Sequence, residues 1–176
     1  MSQGQTMLTA AFLVLLTIAV MNANRLLVES ETETYRGEAL EMASNYGQAL
    51  LIEASRKKFD ENFSDLVYQN KDVFTSPGSL GPESGETISP WPDIAPFKSP
   101  TVYDDLDDYN GYQRIIDTVD TKRIPGFLLK VRVYYVKKSA PGTIQTSQQY
   151  LKRLDVSVEH PSYVTKPITF STIVTY

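Results

Sequence analysis

The densest set of chemistry-bearing side chains in the sequence is Asp104, Asp105, Asp107 and Asp108, four carboxylates within five residues, followed directly by Tyr109, Asn110, Gly111 and Tyr112. Such a run suits calcium, which takes about six to eight oxygen ligands. An EF-hand does not fit, because placing Gly111 at the sixth loop position puts Leu106 where the first aspartate belongs. The competing expectation is a solvated turn in which Asn110-Gly111 supplies the positive φ. The remaining chemical repertoire is thin. There is no cysteine and one histidine, His160, so there is no thiolate zinc site and no cysteine nucleophile, and a histidine relay has one residue to draw on. His160 precedes Pro161 and is expected in a surface loop, and no enzymatic activity is expected.

The elements that must position these residues begin with an uneven distribution of apolar side chains. The chain has 176 residues, 41% of them hydrophobic, enough for one ordinary domain plus an extension. No charged residue occurs before Arg25, and residues 7–21 are apolar except for Thr9 and Thr17. Since about 20 helical residues cross a bilayer, a spanning helix is feasible. A cleaved signal peptide is disfavoured, because no Lys or Arg precedes the apolar run and Met21-Asn22-Ala23 is a poor small-x-small site. A plain signal anchor would place its basic residues before the span, whereas the first here is Arg25, after it.

Beyond Arg25, Ala39, Met42, Ala43, Tyr46, Ala49 and Leu50 recur at helical steps, with Glu38, Glu41, Gln48 and Glu53 largely off that stripe. The pattern predicts one helix over residues 5–62, about 58 residues and ~87 Å long, with Arg56, Lys57 and Lys58 favourably placed near its end. The alternative is two helices broken near residues 22–25. A domain of this size cannot bury such a rod, so its first half must lie in a membrane or against other subunits. Residues 75–100 hold six of the ten prolines and three glycines, which predicts neither helix nor central strand. Trp91, between Pro90 and Pro92, is expected to pack this loop on the sheet or to meet another subunit, and Asn62-Phe63-Ser64 fits a glycosylation sequon.

After Gly126 the period becomes two. Leu129, Val131, Val133 and Tyr135 share a face, as do Leu154, Val156 and Val158, then Ile168, Phe170, Thr172, Val174 and Tyr176. Turns are expected at residues 140–142 and 161–166, and residues 113–119 offer a weaker fourth strand. The fold class is therefore α+β: a long N-terminal helix packed by its second half on a C-terminal antiparallel sheet. Four segments follow: 1–25 (apolar helix), 26–62 (its amphipathic continuation), 63–103 (helix-to-sheet loop) and 104–176 (sheet head). The net charge of −4 hides a polarity. Residues 62–121 carry three basic and eleven acidic side chains, and residues 122–176 nine basic and two acidic. Without a domain-wide basic field, nucleic acid is not expected as the main partner. The polarity suits contacts between copies of the chain or between two faces of one domain.

A glycine, a hydrophobic helix start and one unbroken helix turning amphipathic together resemble type IV pilins and pseudopilins. The residues that bear the likeness are Gly4 followed by Gln5-Thr6-Met7-Leu8-Thr9. The acidic segment with Tyr109-Asn110-Gly111-Tyr112 is similar to minor pilins of the mannose-sensitive haemagglutinin type. So is the closing run Lys152-Arg153-Leu154-Asp155-Val156-Ser157-Val158 with Phe170-Ser171-Thr172-Ile173-Val174-Thr175. The resemblance implies a leader cut between Gly4 and Gln5 by a prepilin peptidase, and a filament core made by Met7, Leu8, Thr9, Phe12, Leu13, Leu15, Leu16, Ile18 and Val20. It implies storage in the inner membrane, then an extracellular helical filament of identical or related subunits raised by the membrane assembly machinery. The alternatives are a minor pilin or pseudopilin of a secretion system, and an anchored binding module that does not polymerise. Two departures stand out. Thr9 occupies the position where most pilins carry a glutamate that neutralises a neighbour's N-terminal amine, and residues 8–28 lack the Gly and Pro that let many pilin helices melt midway. A straighter helix is expected.

Overall fold

The computed structural model describes residues 3–62, 70–117 and 124–176. Two compact units form, Met1–Glu38 and Ala39–Tyr176. The boundary falls where the stripe of buried helical residues starts. Helix α1 spans Gln3–Ser55 without interruption, so the break considered near residues 22–25 does not form. In the first unit the hydroxyls of Thr6, Thr9 and Thr17 each donate to a carbonyl one turn back, those of Gln3, Gln5 and Leu13, at 2.8 Å. The polar groups of the apolar stretch are thus satisfied by their own helix, as a medium without water requires. The first charged turn holds an Arg25–Glu29 ion pair at 2.7 Å.

α1 ends at Ser55, not near residue 62. Lys57 N–H donates back to the Ala54 carbonyl at 3.1 Å, and the Lys58 carbonyl then accepts from Leu106 N–H at 2.9 Å. Continuing the helix would carry Phe59 and Asp60 past the interior positions they take instead, both being buried. The basic run therefore sits just beyond the helix. Lys57 Nζ donates to the carbonyls of Pro100 and Tyr103 at 3.0 and 2.5 Å.

In the second unit five strands lie in sequence order: β1 Asp93–Ile94, β2 Gln113–Ile116, β3 Phe127–Tyr135, β4 Leu151–His160 and β5 Val164–Thr175. All neighbours are antiparallel except β1 and β2, which run parallel, so the sheet is mixed rather than antiparallel throughout. β1 arises inside the proline-rich segment expected to be loop. Two residues long and at the sheet edge, it leaves its flanking prolines no ladder bond to spoil. Helix α2, Ser99–Val102, also lies there, with Pro100 in its first turn, where a missing N–H costs nothing. β2 ends at Ile116, and the end of the strand expected over 113–119 lies outside the described residues, as do Phe63 and Ser64 of the sequon. β5 starts at Val164, inside the turn expected over 161–166.

The alternation expected for β3 and β4 holds: Leu129, Val131, Val133, Tyr135, Leu154, Val156 and Val158 are all buried, with Val131 opposite Val156 and Val133 opposite Leu154. Against this face α1 buries Ala39, Ala43, Gly47, Leu50 and Ala54. Ala49 is exposed, and Gly47 takes the position between Ala43 and Leu50. A Cβ on Gly47 would stand 2.5 Å from the Phe170 ring and 3.0 Å from Val158, so the bare glycine sets how closely helix and sheet approach. A second cluster of Phe59, Phe74 and Tyr135, with Tyr150 and Tyr176 against it, closes the end of the unit beyond α1.

Candidate functional site

Two places hold the residues singled out by sequence, and each is built differently. The first is the apolar half of α1. Gly4 and Gln5 are exposed at the start of the helix. Met7 is 76% exposed, Phe12 62% and Leu15 65%, with Leu8, Leu13, Leu16, Ile18 and Val20 also exposed. This stretch, none of it buried, is long and apolar enough to cross a membrane. Water does not favour such a surface, since burying each large side chain is worth ~1.5–3 kcal/mol. Thr9 is exposed with its neighbours, and its hydroxyl is engaged by the Gln5 carbonyl.

The second place is the acidic segment, which is neither a solvated turn nor four outward ligands. Asp105, Asp107 and Asp108 are buried, and only Asp104 is exposed. They shape the 3-10 turn Asp107–Tyr109 around themselves. Asp105 Oδ1 accepts from the amides of Asp107 and Asp108 at 2.9 and 3.3 Å, and Asp108 Oδ2 from those of Asp104 and Asp105 at 3.0 and 3.1 Å. Gly111 takes φ +83 as expected. Asp104 meets Lys58 Nζ at 3.1 Å. Asp107 Oδ1 accepts from Lys152 Nζ at 2.7 Å. Of the four, Asp108 alone joins a converging acidic set among the described residues, with Glu83 and Glu86. Burial, reinforced by Asp107, pushes the Asp105 carboxyl up to about 8.

Lys152 is the cation that sequence reasoning missed. It lies on the core face of β4, fully buried, and its Nζ donates to the Phe59 carbonyl at 2.6 Å and to Asp60 Oδ2 at 2.9 Å as well as to Asp107. Asp60 also accepts from Thr75 N–H at 2.9 Å. This knot ties the chain after α1, the acidic turn and β4 together. A parallel knot surrounds Arg114 on β2. Its Nη2 contacts Glu53 Oε1 and Oε2 at 2.8 and 2.9 Å, and its guanidinium lies 4.2 Å from the Phe97 ring centre. Tyr109 donates to Glu53 at 2.9 Å and Tyr112 to Asp93 at 2.6 Å. Glu53, expected to lie off the helix stripe, is in fact turned inward by these partners. The only signal available in sequence was the odd excess of charge and tyrosine around residues 93–114.

His160 is not a loop residue but the last residue of β4, 6% exposed. Its Nδ1 accepts from the amides of Ser162 and Tyr163, both at 3.2 Å, so Nε2 bears the proton and faces the Pro125 carbonyl at 2.9 Å. Both nitrogens are engaged, leaving none for general base work. Trp91 is 49% exposed and rests edge-on against Tyr112, 5.8 Å between ring centres.

Compared with protein families, curated proteins and solved structures, the chain matches none of them. A functional reading therefore rests on the residues and their arrangement.

Proposed function

We propose that this chain is a structural subunit of a type IV pilus-like filament. The apolar half of α1 waits in the inner membrane and then enters a bundle of like helices, exchanging lipid for protein contacts, while the sheet units form the outer surface on the cell exterior. A prepilin peptidase cuts between Gly4 and Gln5, and the membrane assembly machinery raises the subunit. The observation that carries this reading is the division of labour along one helix: its second half buries its stripe within its own unit, whereas its first half exposes every large apolar side chain among the described residues. Such a surface needs a partner, and a bundle of identical helices supplies one. Thr9 brings no carboxylate to that bundle, so the amine of Gln5 must be met by another acceptor or enter uncharged.

The test is Leu15→Arg in cells that hold the assembly machinery. Filaments seen by electron microscopy in the wild type should vanish, with the circular dichroism of the purified chain unchanged. Persistence of filaments would overturn assembly through this segment. A wild type that stays monomeric and forms no fibres would point instead to an anchored module that does not polymerise.

A further inference from the structure

Glu83, Glu86 and Asp108 each bring a carboxylate oxygen within 4.8 Å of the others, although the loop and the turn that hold them are distant in sequence. The two glutamates are set by a tight turn in which Glu86 N–H donates to the Glu83 carbonyl and Glu83 N–H donates to Glu86 Oε2, each at 3.2 Å, with Gly85 between them at φ +112. Asn110 clamps this loop against the sheet, donating to the Leu80 carbonyl at 2.9 Å and accepting from Val133 N–H at 3.1 Å. The decisive atom is Asp108 Oδ1. The residue is fully buried and its Oδ2 is occupied by two amides, yet Oδ1 is buried with no hydrogen-bond partner. A buried carboxylate oxygen left without a donor is costly. No ion pair reaches any of the three carboxylates among the described residues, because Lys58 is committed to Asp104 and Lys152 to Asp60 and Asp107.

We propose that Glu83, Glu86 and Asp108 form a calcium site, Asp108 Oδ1 being the buried ligand and the two glutamates closing it from the surface. The donors are all oxygen, which selects a hard cation, and an irregular loop with water access suits the variable coordination of calcium better than the strict octahedron of magnesium. A divalent cation would offset the mutual repulsion of three carboxylates held this close together. Occupied, the site fastens the proline-rich loop to the 3-10 turn, whether or not the chain assembles.

The experiment uses the full chain in detergent, stripped with chelator and titrated with calcium chloride by calorimetry. Terbium gives a second readout, since Trp91, Tyr103 and Tyr112 line the same cleft as Glu86 and can sensitise its luminescence. One calcium per chain is expected, with a higher melting midpoint. The double variant Glu83→Gln, Glu86→Gln should weaken binding by more than about 10-fold, while Asp72→Asn, an exposed control, should not. Absence of calcium heat and terbium signal up to ~5 mM, above the affinity range of weak extracellular calcium modules, overturns the site. Unchanged affinity in the double variant overturns it equally. Should that variant fail to fold, Glu86→Gln alone gives the same comparison.

Discussion

Both halves of α1 present apolar side chains, the first all round and the second along one stripe, and these differ in size and in fate. Residues 7–21 offer Leu, Phe, Ile, Val and Met, all exposed. The stripe in the second unit is Ala39, Ala43, Gly47, Leu50 and Ala54, all buried. Small residues let a helix lie close on a sheet whose own side chains fill the gap, as Phe170 does over Gly47. Large residues with nothing against them within the described chain form a surface that water disfavours. The docked half is further secured by buried charge, Glu53 with Arg114, and Asp60 just past the helix with Lys152. The other half has no such buried pair among the described residues: its Arg25–Glu29 pair is solvated, and solvated pairs contribute little.

The largest effect should come from Lys152→Met. Asp60 and Asp107 would be left buried without their cation, a loss of about 3–5 kcal/mol, read as a fall in denaturant midpoint. A change under about 1 kcal/mol would mean that the knot does not hold the docked half. Next is Gly47→Val, where side-chain atoms would overlap Phe170 and Val158. Overpacking of this kind costs about 1–3 kcal/mol, and thermal unfolding should show it. A variant as stable as the wild type would contradict the close approach of helix and sheet.

A smaller effect is expected at Asp155. Burial alone would raise its carboxyl, but hydrogen bonds from Ser171, Arg153 and Tyr134 outweigh it and hold the group below its ordinary value of 3.8. Its contribution is therefore present above that value and lost as pH falls through the lowered one. Asp155→Asn should flatten the acid limb of the stability curve, followed by fluorescence between neutral pH and acid. Smallest of all is Leu13→Ala, expected to move the melting midpoint of the unassembled chain by no more than ~0.5 kcal/mol equivalent, while weakening filaments. If it destabilised the lone chain as a core residue does, the contrast between the halves would collapse.

Much of the sheet is legible in the sequence, since in Leu129, Val131 and Val133 or Leu154, Val156 and Val158 the alternation itself names the inner face. The same holds for the apolar run of α1, which hydropathy alone marks as foreign to a small soluble core. Other features are not legible there. Ala49 and Gly47 exchange roles relative to the expected stripe because the sheet opposite has room for no side chain at 47. β1 and α2 form in a proline-rich stretch because Asp93 accepts the amides of Lys98 and Ser99, a local cap that composition does not announce. His160 reads as a loop residue until both ring nitrogens find backbone partners.

Local pattern determined the long helix, the apolar character of its first half and the two-residue period of the strands, because hydropathy and side-chain direction act over one or two turns of chain. The tertiary structure alone decided which charges go inside. Lys152 is tolerable in the core since Asp107 and Asp60, 45 and 92 residues away, converge on it, and Arg114 since Glu53, 61 residues away, turns inward to meet it. The cost of burying a charge depends on partners brought from elsewhere in the chain, and no window of neighbouring residues contains them.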